Sequence, residues 1–427
     1  MKSIYIKTYG CSLNQADSEL MAGLLKKANY NIIADEKKAD LIIINTCTVK
    51  GKSETRFYKE LSRLKKLKNK KLIVSGCIPQ AELELKKLEG LSLIGTSQLV
   101  NIVEVAEDTL NGNTVQLLGK ERNQRLNLPK IRKNPVIEII PICEGCLGKP
   151  CAYCKVKQAR GDLFSYSERA IIEQIENALK DGVKEIWLTA QDTGCYGLDI
   201  KSSLVNLLNS VLKIKGDFKV RLGMANPNFV IKYLDDLIKI YKNEKMFRFL
   251  HIPVQSGNNR ILKLMERKYT AEDYKKIVSK FRKEIPDITI STDIICGFPT
   301  ETEDEFMDSL NLIMETKPGV LNRNMFWPRP GTKAAGMKQV LSRITRERTR
   351  KLTLEFKKLA FENNKKWLGW EGYVLIDEPG RDKTSKNFIA RNYAYKQVIL
   401  KGNYKLGQKI KVKIKETTVF DLRAVCI

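Results

Sequence analysis

Residues 3–28, SIYIKTYGCSLNQADSELMAGLLKKA, hold a short β-rich run, a cysteine and then a helical pattern. The unit recurs. DLIIIN (40–45) leads to Cys47 and the basic helical run KSETRFYKELSRLKKLK (52–68), and KLIVSG (71–76) leads to Cys77 and the helical run QAELELKKLE (80–89). Such strand–helix repeats predict a parallel sheet with right-handed crossovers over residues 1–115. In such sheets the carboxyl ends of the strands share one edge, where ligands usually bind. Cys11, Cys47 and Cys77 all fall on that edge, so three cysteines far apart in sequence are predicted to converge. Three unrelated buried cysteines are the plainer alternative, because free cysteine is commonly buried. The threefold repeat of one placement weighs against it.

A second set is compact. Cys146, Cys151 and Cys154 crowd into GCLGKPCAYC (145–154). Three thiolates can hold a four-iron cluster and leave one iron open for a small molecule. Structural zinc is the competing reading, because Cys143 completes CEGC and CAYC, two CxxC pairs. Only four residues separate those pairs, little chain for two knuckles to close on one tetrahedral ion. Two iron–sulfur centres are therefore expected. Cys195 and Cys296 read as packing residues and Cys426 as an edge residue of the last strand.

The rest of the chain extends the α/β pattern. A polar, basic stretch ending in KERNQRLNLPKIRKNP (120–135) reads as a linker over 116–135. Six further strands are expected over 136–366: PVIEIIPI, KEIWLT, FKVRLGM, FRFLHIPV, ITISTDIICG and VLNRNMFW, with helices between them. Six βα units suit a partial (β/α)6 barrel with its functional loops at the carboxyl face. From 367 to 427 short alternating runs, GYVLIDE, NFIARN, YKQVIL and KIKVKIKETT, predict a small β-barrel. Its Lys and Arg interleave with Tyr373, Phe388, Tyr393, Tyr395 and Tyr404, which suits RNA, by phosphate contacts and base stacking, or an ordinary solvated β-domain.

With 76 Lys+Arg against 49 Asp+Glu, the 427-residue chain carries a formal charge of +27. That points to a polyanionic partner, RNA, DNA or an anionic membrane surface, or simply to a lysine-rich proteome. No run nears the length of a membrane span, and the N-terminus lacks an apolar leader, so a cytoplasmic protein is expected. There, cysteines bind metal or do chemistry more often than they form disulfides.

The segments YGCSLNQADSELM, INTCTV, VSGCIPQ, EGCLGKPCAYCKVKQARGDLFSY, EIWLTAQDTGCYGLD, RLGMANP, FLHIPVQSGNNRILKLMERKYT, TDIICGFPTETEDEF and FWPRPGTKAA run in order through all three regions. In these the chain resembles the radical-SAM methylthiotransferases, most closely the archaeal and eukaryotic type that modifies N6-threonylcarbamoyladenosine in tRNA. The resemblance implies an N-terminal cluster domain, a radical-SAM core and a C-terminal RNA-binding TRAM barrel. It implies that Cys146, Cys151 and Cys154 hold the [4Fe-4S] cluster that binds S-adenosylmethionine. Cys11, Cys47 and Cys77 would hold an auxiliary [4Fe-4S] cluster that carries the sulfur to be donated. It places Tyr153, Gln191, Asn226, His251, Gln255 and Ser256 at the cofactor, with Asp293 and Gly297 shaping the same face and no catalytic residue beyond the clusters. The product would be adenine methylthiolated at C2, and tRNA, a low-potential electron donor and a sulfur source would be the partners. The same chemistry on another tRNA adenosine or on a ribosomal-protein aspartate, and a non-catalytic zinc-stapled RNA-binding protein, are the alternatives. One feature departs from the family pattern: four residues, not three, separate Cys146 from Cys151.

Overall fold

The computed structural model describes residues 1–48, 51–67, 70–81, 86–121, 123–380 and 387–427, with the backbone alone for 51–53. Strands β1 (Ser3–Thr8), β2 (Asn31–Ile32), β3 (Leu41–Thr46), β4 (Lys71–Gly76), β5 (Ser92–Gly95) and β6 (Gln116–Leu117) form one sheet in the order β2-β1-β3-β4-β5-β6. Every pairing in it is parallel. The period of two divides its apolar residues between two faces. Ile42, Ile44, Leu72, Val74 and Leu93 pack on Phe57, Leu61 and Leu64 of helix Gly51–Leu64. Leu41, Ile43, Ile73 and Ile94 pack on the other face with Met21, Leu25, Ile102 and Val105. Covered on both sides, β3 is buried at all six positions, which is why it reads as an unbroken apolar run. The helix expected over 80–89 lies partly outside the described residues; a short helix, Cys77–Ala81, and a 3-10 turn, Lys86–Leu88, flank that gap.

The stretch read as a linker begins with β6, on the sheet edge, and then straps two domains together. Arg125 pairs with Asp17 at 3.3 Å and Glu144 at 3.0 Å. Lys130 pairs with Glu138 at 2.5 Å, and Arg132 reaches both Glu138 and Asp181. Arg125, Lys130 and Arg132 thus serve internal carboxylates.

The central domain has the six strands expected: β7 (Ile137–Pro141), then, past the short β8 (Cys143–Glu144) and β9 (Phe164–Ser165), β10 (Glu185–Thr189), β11 (Lys219–Leu222), β12 (Phe249–His251), β13 (Thr289–Cys296) and β14 (Val320–Met325). They form two parallel triplets, β7-β10-β11 and β12-β13-β14, joined through the bridge Val220–Met246. The antiparallel pair β8–β9 frames the compact cysteine loop. Helices Ala271–Glu284 and Glu303–Thr316 start at reciprocal capping boxes, Thr270 with Asp273 and Thr302 with Glu305.

Strands β15 (Glu371–Pro379), β16 (Asn387–Arg391), β17 (Gln397–Lys401), β18 (Lys409–Thr417) and β19 (Leu422–Cys426) close a barrel in the order β15-β16-β17-β19-β18. It sits on the amino ends of the central strands. Arg248 N donates to Tyr393 O at 2.8 Å, and Asn134 Nδ2 to Asp377 O at 2.7 Å. This placement favours ordinary packing of the barrel's aromatics over an aromatic RNA face. Tyr395 packs edge-on against Phe247 and tilted against Phe249, and Tyr393 packs on Trp367 and Trp370 with its hydroxyl on Asp287. Phe388 and Tyr404 pack edge to face on each other. Of the five aromatics only Tyr373 is exposed, at 59%.

The N-terminal domain packs along the β7 flank of the half-barrel, Ala16 lying against Ile137 and Ile139, and reaches its opposite end. Ser12 Oγ lies 2.7 Å from Thr189 Oγ1 at the end of β10, and Arg329, beyond β14, pairs with Glu54. Thr96, just after β5, donates its hydroxyl to Ala159 O. Two carboxyl edges, each carrying three cysteines, therefore face one another.

Candidate functional site: two cysteine triads

Cys11, Cys47 and Cys77 follow the neighbouring strands β1, β3 and β4, whose ends are held level by the pairs Thr8–Asn45 and Thr46–Gly76. Gly10, at φ +117°, lets the first turn close on the second: a Cβ there would lie 2.8 Å from Cys47 Cβ. Asn14, one turn into helix Ser12–Lys27, centres the group, with its Oδ1 3.5 Å from Cys11 Sγ and 3.9 Å from Cys77 Sγ. Burial pushes the Cys77 thiol up to about 12, with Cys47 and Cys11 adding to the shift and Arg160 opposing it. Cys47 and Cys77 are buried and Cys11 is exposed, so the site is a walled cup with one open side.

The compact loop is built differently. Gly145, at φ +71°, packs so closely that a Cβ would meet Asp162 O at 2.0 Å. Gln191 Oε1 accepts from Gly145 N at 2.7 Å, which ties the loop to the end of β10. Lys157 Nζ donates to Cys146 O at 2.8 Å and also to Gly148 O. The four-residue spacing is therefore taken up as a pinned bulge, with Leu147 turned to solvent. Burial pushes the Cys154 thiol up to about 11 and raises Cys146 as well, the neighbouring thiols adding to both. Arg267 Nη1 reaches Cys151 Sγ at 3.2 Å.

Cys143 takes no part in this loop. It is fully buried in the core, hydrogen-bonded to Cys195, and both thiols approach Asp192 O, at 3.6 and 3.2 Å. A zinc site built on CEGC and CAYC thus lacks its fourth ligand. Among the described residues no three His, Cys, Asp or Glu side chains close around a single ion. Two cups of three cysteines, each with an open side, have the donor set for a larger four-iron cube, whose binding would expel the protons of the raised Cys77, Cys146 and Cys154 thiols.

Tyr153 lies in an apolar cluster with Ala152, Ile261, Met265 and Phe298, its ring edge on Phe298. Asn226 precedes the short helix after β11 and its side chain holds Arg267 Nη2 at 3.1 Å, so it stands one step from Cys151. His251 Nε2 is 3.1 Å from Asp293 Oδ1, which also accepts from Asn322 Nδ2 at 2.6 Å. Gln255, at φ +70°, ties its own N–H to Asp293 O. Ser256 is fully buried and its hydroxyl meets Ser309 and Asn258 N, so it serves packing against helix Glu303–Thr316. Gly297 allows Thr345 to pack closely.

Several site residues were not foreseen. Arg267 bridges Cys151 and Asn226. Asp192, pushed up to about 6 by burial, accepts from Gly194 N and Asn226 N. Arg125, Arg160, Asp17 and Glu144 form a buried charge network between the two triads, with Tyr166 donating to Glu144 at 2.7 Å.

Comparison with known proteins bears on this geometry. Residues 3–94 match the uncharacterized protein family UPF0004, and residues 140–313 match the radical SAM superfamily. The threonylcarbamoyladenosine tRNA methylthiotransferase of Xenopus laevis is 42% identical over 97% of this chain and 75% of its own length. The chain belongs to that methylthiotransferase family. The Homo sapiens member is 41% identical, over 98% of this chain and 72% of its own. A Pyrococcus abyssi protein named "Probable threonylcarbamoyladenosine tRNA methylthiotransferase" is 41% identical over 94% of both chains. In structure, the radical S-adenosylmethionine methyltransferase TsrM of Kitasatospora setae superposes with a TM-score of 0.57 at 14% identity, over 78% of this chain and 75% of that one. The family's small C-terminal barrel and radical-SAM core are thus both present in the fold, with the UPF0004 sheet ahead of them. No helix among the described residues is long and apolar enough to cross a membrane.

Proposed function

We infer that this chain is a radical S-adenosylmethionine enzyme that inserts a methylthio group at C2 of N6-threonylcarbamoyladenosine next to the anticodon of tRNA. One observation carries the reading: Ala159, just past Cys154, packs on Cys77, so the two cysteine triads share a wall. The substrate follows the printed names of the relatives, threonylcarbamoyladenosine tRNA methylthiotransferases. On this reading Cys146, Cys151 and Cys154 hold one [4Fe-4S] cluster and Cys11, Cys47 and Cys77 hold the other. When bound, the clusters and two S-adenosylmethionine molecules supply the one-electron and sulfur chemistry that an unactivated aromatic C–H requires.

The chain's own groups orient that chemistry. Arg267 holds the Cys151 sulfur and Asn226 together, and Gln191 fixes the backbone of the compact loop. His251, Asp293 and Asn322 line the half-barrel as one hydrogen-bonded set, suited to hold ribose or methionyl groups. A low-potential electron donor, a sulfur source and tRNA are the partners this reading requires, and the cytoplasm is the compartment.

The test is nucleoside mass spectrometry on tRNA already carrying threonylcarbamoyladenosine, incubated anaerobically with reconstituted protein, S-adenosylmethionine, sulfide and a strong reductant. A nucleoside heavier by one methylthio group is the expected product. Release of 5′-deoxyadenosine without that product would mean a working radical centre and a wrong substrate.

A further inference from the structure

We propose that Arg160 is a positioning residue that sets the reduction potential of the Cys11/Cys47/Cys77 centre from the radical-SAM side of the domain interface. The proposal rests on the cluster assignment above and deepens it. Arg160 ends helix Val156–Arg160, which follows Cys154, yet its guanidinium lies among groups of the N-terminal domain. Nη2 donates to Asp17 Oδ2 at 2.5 Å and to Asn14 Oδ1 at 3.4 Å, while Nη1 donates to Glu144 Oε2 at 3.2 Å. Asn14 Oδ1 is the same atom that the Cys11 and Cys77 thiols approach. One amide oxygen thus joins the cation to two of the three thiols.

Burial makes this placement consequential. The Arg160 side chain is 1% exposed, and its Nε has no hydrogen-bond partner among the described residues. A buried donor without an acceptor is costly, and a cluster sulfur is an acceptor of the right kind. Hydrogen bonds to the sulfurs, nearby charge and solvent exposure set the potentials of iron–sulfur clusters. A cation held there favours the reduced, more negative state. Arg125 shares both carboxylates and also has an Nε without a partner among the described residues, but its Nη2 turns to Thr96 O where that of Arg160 reaches Asn14, so it provides an internal control.

The experiment uses the full chain with Cys146, Cys151 and Cys154 replaced by Ala, reconstituted with iron and sulfide. Retention of about four irons per chain tests the cluster assignment itself. A chain without iron would sink that assignment, and the proposal with it. The midpoint potential of the remaining centre is then read by titration monitored by electron paramagnetic resonance. Arg160→Gln is expected to lower the reduction equilibrium constant at least tenfold, ~59 mV for one electron. Asp17→Asn, which removes the counter-charge without changing shape, shifts the potential upward. Arg125→Gln shifts it much less than Arg160→Gln does. An unchanged potential in Arg160→Gln overturns the proposal, as does an equal shift in Arg125→Gln, which would mark a merely structural staple. If Arg160→Gln cannot hold iron, Asp17→Asn decides alone: an upward shift supports the role and no shift refutes it.

Discussion

Cys77 shows what a metal centre asks of a buried thiol. Packed on Ala81 and Ala159, with its proton held up to about 12 chiefly by burial, it is neutral in the metal-free chain. Ligation must expel that proton, so uptake of iron by the N-terminal triad should strengthen as pH rises from about 7 to about 9. Iron counts after reconstitution at each pH read this directly. The triads should also separate by function. Cys77→Ala should abolish methylthiolation while 5′-deoxyadenosine release continues, and Cys154→Ala should abolish both. Continued release from Cys154→Ala would overturn the assignment of the compact loop. Gly10 offers a subtler probe, because alanine there meets both a positive φ and the Cys47 Cβ. Strain of about 1–3 kcal/mol is expected, and it falls on the N-terminal triad. Gly10→Ala should lose about half the bound iron and keep S-adenosylmethionine cleavage.

At the scale of elements, local pattern was legible and distant pairing was not. The run LIIINT announced β3 because both faces of a parallel strand are apolar, and the repeat of strand then cysteine placed Cys11, Cys47 and Cys77 on one edge. The compact triad was legible too, though the pinning of its extra residue by Lys157 was not. Arg125, Lys130 and Arg132 read as linker residues because their carboxylate partners lie in other elements. Tyr395 could be read either as an RNA-facing ring or as a packed one, because alternation along β16 and its turn cannot distinguish solvent from a neighbouring domain. That interface hides a titrating pair. Burial, with the charge of Asp377, pushes Glu185 up to about 8, and burial pushes Asp377 up to about 6, against the pull of Arg391. Both folded values lie above those of exposed carboxyls, so the pair binds protons more tightly when folded. Its contribution is complete in acid and is lost as pH rises through about 6 and then about 8. The metal-free chain should therefore unfold at lower urea concentration at pH 9 than at pH 6. Glu185→Gln should flatten that decline, by on the order of 1–3 kcal/mol at pH 9. Parallel declines in the two proteins would exclude the pair as its source.

Across the whole molecule, the small barrel seals the amino end of the half-barrel, while the N-terminal domain packs along its β7 flank with contacts that reach its carboxyl end. Any RNA contact by the small barrel falls to its outer wall, since its aromatics are mostly packed against neighbouring groups. β18 is the strand built for this. In KIKVKIK the residues Ile410, Val412 and Ile414 point into the barrel core, leaving Lys409, Lys411, Lys413 and Lys415 on the outside. Lys413 is held by Glu371 at 2.7 Å, whereas Lys409 lies 5.7 Å over the exposed Tyr373 ring, and Tyr373 pairs in register with Lys411. A lysine stripe beside one open aromatic can follow a phosphate backbone and stack a single base, without reading sequence. Each phosphate neutralised releases counterions and adds about 0.9 to the slope of log K against log salt. Replacing Lys409, Lys411 and Lys415 together by Ala should therefore reduce that slope for tRNA by about 2–3. Tyr373→Ala should weaken binding by about 1–3 kcal/mol with the slope unchanged. Both variants should release 5′-deoxyadenosine at the parent rate, because the stripe lies at the far end of the half-barrel from the cysteine loop. A full slope in the triple variant would move the RNA to another face.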